Sequence, residues 1–230
     1  MNRERLPFPL AINENLRNNA LTTFLVLEAL ILFIAAPLSA MGIRAPLFVG
    51  GLLCAPVFLA IVIISRSTGA RFLTFIATIL AVGGAVLRID HPSLTTVWLG
   101  HLAVIVAVLG ISVVIVQAVF APGRITHHRI EGAVILYLNI ALAFTSIYRL
   151  IQELNPNAFA DVPTHQAQAA AATTMLYFSF TTLTSTGFGE ILPVDPFARS
   201  MANLESVVGQ LYLAILLARL VTMHVESRRY

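Results

Sequence analysis

The sequence predicts an all-α membrane protein with six transmembrane helices, and with a shorter re-entrant helix and a polar loop between helices five and six. Three observations carry that prediction. Of the 230 residues 58% are hydrophobic and 11% charged, against the roughly 25% charge of soluble domains, and the mean hydropathy is +0.86. Six apolar runs, near 20–41, 45–65, 71–88, 97–120, 132–152 and 200–223, match the roughly 20 residues that a helix needs to cross about 30 Å of hydrocarbon. A further stretch at 167–183 has no room to turn and cross again, because it runs straight into the glycine-punctuated segment Thr184-Ser185-Thr186-Gly187-Phe188-Gly189-Glu190.

Orientation follows from the basic residues, all fourteen of which are arginines. Arg3, Arg5, Arg17, Arg66, Arg71, Arg124, Arg129, Arg219, Arg228 and Arg229 fall at one set of span ends, and only Arg44, Arg88, Arg149 and Arg199 at the other. The positive-inside bias puts the first set, and with it both termini, in the cytoplasm, as an even number of crossings requires. The basic balance therefore reflects orientation and calls for no nucleic-acid partner.

Residues 1–19, polar and too short to fold alone, read as a cytoplasmic lead-in. The first span lacks a small-residue cleavage site, so it is expected to stay as a membrane helix. It carries Glu28, where an unpaired carboxylate in lipid is costly. Glu28 is either a neutral or paired packing residue facing the bundle interior, or a proton- or ion-handling group. The second span holds Cys54, the single cysteine, which excludes an intrachain disulfide and reads as a small buried hydrophobe. Gly50, Gly51, Pro56, Gly83 and Gly84 in spans two and three read as packing or kink positions. Asp90, His91 and Pro92 form an extracellular turn in which His91 is solvated or senses external pH.

The fourth span contains no arginine or lysine, whereas a voltage sensor needs several charges on one helix because each contributes only about 2.3 kcal/mol per 100 mV. Its polar exceptions, His101 and Gln117, are expected to hydrogen-bond between helices. Residues 20–130 thus form a four-helix membrane domain without voltage-sensor arginines. Ala121-Pro122-Gly123-Arg124 breaks the chain, and His127 and His128 follow, as a solvated turn or an intracellular proton sensor. Being adjacent, the two do not face each other on a helix, so a metal site there is weakly indicated.

Residues 131–230 follow a different plan: a span, a half-span rich in Tyr177, Phe178 and Phe180, the loop 184–190, and a last span. Non-helical backbone survives at membrane depth only where protein buries it or a watery cavity adjoins it. The loop must therefore line something. Serine and threonine add hydroxyl oxygens to its backbone carbonyls, and glycine takes positive φ without steric cost. Alternating such residues can turn successive carbonyls toward one axis and replace the water around a small cation.

Thr184-Ser185-Thr186-Gly187-Phe188-Gly189-Glu190 resembles the signature filter of potassium channels. The similarity runs through Tyr177-Phe178-Ser179-Phe180-Thr181-Thr182-Leu183, through 191–200, and through 204–214, which is similar to the inner helix of the two-helix pore family of bacterial channels. It covers 131–230, which it implies is a pore domain of outer helix, pore helix, selectivity filter and inner helix. The resemblance implies that Ser185 stands where the family's first filter threonine forms the innermost site. Potassium would be held at Ser185, Thr186, Gly187 and Phe188, with Gly189 adding a further carbonyl, Thr184 ending the pore helix and Glu190 lining the outer mouth. It also implies that the negative end of the pore helix, near Leu183, faces a cation in the cavity below. Three positions depart from the family pattern: Thr186 replaces valine, Phe188 tyrosine and Glu190 aspartate.

One loop per chain implies a homotetramer in a lipid bilayer, consistent with the closed symmetry of most oligomers. Gly209 resembles the family's gating hinge, with packing as the other reading, and Glu205 either supports the back of the filter or packs the helix. Leu216, Leu217, Leu220 and Val221 are placed to form an apolar constriction. The gating stimulus is not legible, no regulatory domain is expected after the last span, and no catalytic constellation or cofactor beyond permeant K+ is indicated. The expectation is a passive, potassium-selective channel of the plasma membrane, in a bacterial inner membrane. The alternatives are a non-selective monovalent cation channel and a secondary transporter using Glu28; no internal repeat, as a transporter would show, is visible.

Overall fold

A computed structural model of the chain describes residues 21–43, 72, 76, 79, 94–119, 127–162 and 168–227. It is predominantly helical, with five substantial helices: α1 (Leu21–Ala40), α2 (Leu94–Val119), α3 (His127–Leu154), α4 (Gln168–Leu183) and α5 (Pro196–Ser227). Four stretches are long and apolar enough to cross a membrane, Leu21–Ala40, Trp98–Gln117, Arg129–Leu154 and Pro196–Arg219. They answer to the first, fourth, fifth and sixth expected spans. The second and third, with Cys54, His91 and the glycines at 50, 51, 83 and 84, lie outside the described residues, as does the break at 121–124.

Helix α1 widens into a π-turn at Ile31–Ala35, where the Ala36 N–H reaches Ile31 O. Its cause is Pro37, which has no N–H and whose ring crowds the carbonyl four residues back. The widened segment lies against α4: Thr173 Oγ1 donates to Ala36 O at 3.2 Å, and the Phe33 and Phe180 rings sit 5.6 Å apart. Leu21 and Phe24 pack with Ile111, Ile115 and Val119 of α2 and Ala133, Ile135 and Leu136 of α3, while Leu32 meets Leu138 and Leu176. Glu28 points into this interior, 5% exposed, and its Oε2 has no hydrogen-bond partner among the described residues.

Helices α2 and α3 run side by side. They approach closely at Gly132, where a Cβ would stand 2.6 Å from a Val119 methyl. At their other ends the expected interhelical role of His101 takes a specific form: its Nε2 lies 3.4 Å from Glu153 Oε1, which also accepts from Arg149 Nη2 at 3.2 Å. Gln117, by contrast, is exposed.

The segments flanking α4 are stapled together. A two-residue antiparallel pair, β1 (Phe159–Ala160) with β2 (Leu192–Pro193), sets Phe159 opposite Pro193, and Ala158 O accepts from the N–H groups of Val194 and Asp195. Beneath it Tyr148, Phe159 and Phe178 form an edge-to-face triad with centroids 4.9–5.8 Å apart, packed on Met175 and Ala198. Helix α5 then starts on a strong signal. Asp195 is the N-cap, its Oδ1 accepting from the N–H of Phe197 (2.8 Å) and Ala198 (3.2 Å), and Pro196 occupies the first helical position, where a missing N–H costs nothing. Asp195 Oδ2 also accepts from Asn155 Nδ2 at 3.3 Å. Asp195→Ala is expected to lower stability by about 1 kcal/mol, read as a reduced thermal unfolding midpoint in detergent, and Asp195→Asn to lower it less.

Candidate functional site

The loop 184–190 begins where α4 ends, and α4 ends because its last carbonyls are captured. A helix leaves four C-terminal carbonyls without intrahelical partners, and here each finds another. Phe180 O accepts from Thr184 N and Thr184 Oγ1, and Thr181 O from Thr186 N (2.8 Å) and Gly187 N (3.2 Å). Thr182 O accepts from Ser185 N (2.9 Å) and Ser206 Oγ (3.0 Å), and Leu183 O from Tyr137 OH at 3.3 Å. The pair Thr186 N to Thr181 O and Ser185 N to Thr182 O is a Schellman closure, which needs a left-handed residue at the position Ser185 occupies.

Ser185 takes that conformation at φ +55°, although it is not glycine. A left-handed L-residue is strained by about 1–2 kcal/mol, so a side chain kept there points to a use for its hydroxyl. Gln210 Nε2 of α5 donates to Ser185 Oγ at 3.0 Å. Beyond it, Gly187 (φ +55°) and Gly189 (φ +80°) are left-handed as well, while Thr186 and Phe188 are not. Positive φ therefore recurs at every second residue from 185 to 189. All seven residues of the loop are exposed in the single chain.

The three departures from the family pattern each acquire a local partner. Thr186 Oγ1 lies 2.8 Å from Thr184 Oγ1, so the hydroxyl that replaces an apolar group is satisfied within the loop. Phe188 stacks on Tyr177 of α4, with centroids 6.2 Å apart and planes within 4°. The Tyr177 hydroxyl, in turn, donates to Glu190 Oε2 at 2.9 Å. Tyr177 thus supplies, from one ring, both the stacking surface for Phe188 and the hydroxyl that Phe188 lacks. A recess of about 210 Å³ opens beside this pair, lined by Thr181, Phe188, Leu192 and Ala202 among others.

Two residues fix α5 against α4. Gly209 abuts the last residue of α4: a Cβ there would overlap Leu183 O and stand 3.0 Å from Leu183 C and Cδ1. Glu205, fully buried, accepts from Tyr148 OH at 2.5 Å and lies 2.5 Å from Ser179 Oγ. Sequence reasoning singled out Glu205 but not Tyr148, Ser179, Tyr177, Ser206 or Gln210. Their only signal was polarity on otherwise apolar helices. Among the described residues no group of three or more His, Cys, Asp or Glu could hold a metal ion.

The obstacle at Gly209 is a backbone carbonyl, which cannot swing aside as a side-chain end can. Gly209→Ala is therefore expected to cost about 1–3 kcal/mol, the usual range for overpacking, measured as loss of thermal stability of the purified protein. A wild-type unfolding midpoint would show that α5 stands off from Leu183.

No curated protein and no solved structure matches the chain. Residues 133–226 match the family described as "ion channel". The match takes in nearly all of α3 and the whole of α4, the loop and the β1–β2 staple, and all but the last residue of α5. Over that region, 133–226, the chain belongs to the ion-channel family, of the two-helix-pore type in the potassium-channel superfamily.

Proposed function

We propose that this chain is one subunit of a homotetrameric, potassium-selective channel in which Thr184 to Glu190 form the filter. The observation that carries the reading is the recurrence of left-handed backbone at Ser185, Gly187 and Gly189. A chain that changes hand at each residue can present consecutive peptide groups in the same sense, as in backbone nests that bind ions. With N–H groups on one side, carbonyls face the other, and a ring of four such strands would replace a cation's water at Ser185, Thr186, Gly187 and Phe188. Helix α4 supports this. Its 16 residues span about 24 Å, short of the roughly 30 Å of hydrocarbon, which suits a re-entrant helix entering from outside and aiming its negative end at a cation.

Assembly is supported by α5, whose Leu204, Val207, Leu211 and Ile215 form an exposed apolar row in the single chain. In the proposed tetramer α5 lines the cavity, with both termini cytoplasmic and the chain in a plasma membrane, a bacterial inner membrane in this reading. Gly209 is the proposed gating hinge as well as a packing glycine, and the apolar residues 216, 217, 220 and 221 are the proposed constriction. Residues 1–19, 20–130 and 131–230 divide into lead-in, four-helix domain and pore. Conduction is passive; K+ is the permeating ion, not a cofactor. A second reading, a non-selective cation channel, is favoured by one feature: the Phe188 ring is 67% exposed and carries no hydroxyl to brace the loop.

Bi-ionic recordings from proteoliposomes containing the full chain separate these. A reversal potential that follows the potassium gradient is expected; reversal near zero with sodium opposite potassium would select the non-selective reading, and absence of current would sink both. In the same preparation Tyr177→Phe, which removes the hydrogen bond to Glu190, is expected to lower the K+/Na+ permeability ratio by several-fold, on the scale of about 1 kcal/mol for one hydrogen bond. An unchanged ratio would mean that the Tyr177 hydroxyl does not brace the loop.

A further inference from the structure

The Glu205 carboxyl group is the meeting point of three helices: Tyr148 reaches it from α3, Ser179 from α4, and Glu205 itself projects from α5. Each of these three residues is completely buried. Counting protons at this junction fixes more than its geometry. Ser179 Oγ lies 2.8 Å from Ala141 O and 2.5 Å from Glu205 Oε1. A serine hydroxyl has one proton to donate, and a backbone carbonyl has none. Both contacts are hydrogen bonds only if Glu205 Oε1 carries a proton and donates it to Ser179 Oγ, which then donates to Ala141 O. Tyr148 OH completes the chain by donating to Oε2 at 2.5 Å. Among the described residues no ion pair reaches Glu205, and an ionised carboxylate is expensive in such an interior.

The junction also heads a seam along α5. Ser206 donates to Thr182 O, Gly209 abuts Leu183 one turn below Glu205, and Gln210 donates to Ser185 Oγ. Positions 205, 206, 209 and 210 thus hold residues 179, 182, 183 and 185 in order, from the buried body of α4 into the loop. Of these contacts, only the Glu205 junction ties α4 and α5 to α3 through fully buried side chains. We propose that Glu205 is a neutral carboxylic acid acting as the positioning residue of the loop: through Ser179 and Tyr148 it fixes the depth and rotation of α4, and so the placement of Ser185 to Gly189. The proposal rests on the reading of 184–190 as a filter.

The neutral acid and the carboxylate differ in what can replace them. A glutamine amide donates from Nε2 and accepts at Oε1, the same pattern as the neutral acid, so Glu205→Gln should keep the wild-type function where Glu205→Leu does not. In proteoliposomes Glu205→Gln is expected to hold the K+/Na+ permeability ratio within about twofold of wild type, and Glu205→Leu to lower it about tenfold, the effect of unpaired buried donors and acceptors. The infrared difference spectrum of wild type minus Glu205→Gln should show a protonated-carboxyl band. Impairment of Glu205→Gln equal to that of Glu205→Leu, or absence of the band, would overturn the neutral acid. A wild-type ratio in Glu205→Leu would overturn the positioning role. Should Glu205→Leu fail to assemble, Ser179→Ala and Tyr148→Phe take its place, and wild-type ratios in both would overturn it equally. A wild-type protein with no potassium selectivity would refute the channel reading, and the infrared band would still decide the state of Glu205.

Discussion

The end of α4 is a backbone problem with few solutions in lipid. Water cannot satisfy a helix's last carbonyls there, so each must be met by protein, and the groups that meet them determine everything that follows. The N–H groups of residues 184–187 fold back on Phe180, Thr181 and Thr182, which starts the loop. Tyr137 and Ser206 meet Leu183 and Thr182 from α3 and α5, which brings the two long helices to the same point. One requirement, satisfaction of four carbonyls, therefore gives both the conformation of the loop and its attachment to the helices that flank it. Gly209 is the steric counterpart: α5 comes near enough to donate from Ser206 and Gln210 only because nothing projects at 209.

Substitutions within the loop gain meaning beside their neighbours. Read one at a time, Phe188 for tyrosine is a lost donor, Thr186 for valine a stray hydroxyl, and Glu190 for aspartate a longer arm. Read together, the longer arm reaches the Tyr177 hydroxyl, the Phe188 ring lies on the same tyrosine, and the extra hydroxyl pairs with Thr184. The bracing is redistributed onto α4. An exposed pair such as Tyr177 with Glu190 is nevertheless a weaker brace than a buried one, since water competes for both groups.

Legibility in the sequence followed the range of the interactions involved. The apolar lengths of α1, α2, α3 and α5, the end of α4 at Leu183 and the need for left-handed backbone in the loop all depend on neighbours close along the chain, so composition and glycine spacing display them. Glu205 was visible as an anomaly, a carboxylate in an apolar helix, but its partners stand 57 and 26 residues away, and nothing local marks a tyrosine or serine as waiting for it. The same holds for His101, whose polarity announced an interhelical bond without naming Glu153. Left-handed Ser185 was hidden for the opposite reason. Local propensity argues against it, and only the Schellman closure with the carbonyls of α4 imposes it.

Strain at Ser185 and burial at Glu205 are two sides of one arrangement. A strained residue persists only where its surroundings over-determine it, and a loop exposed on every residue cannot supply that constraint itself. The constraint comes from below and behind: from the Schellman bonds to α4, from Gln210, and from whatever holds α4 in place. Ser179 sits one turn before Leu183, on the segment of α4 whose carbonyls the loop uses, so a small rotation of α4 would move every acceptor at once. Burying the anchor at Glu205 shields it from water while leaving the loop open to ions. That division suits a site whose backbone oxygens must face a solvated cation yet keep a fixed geometry, because the rigid part and the wet part are then different residues on the same helix.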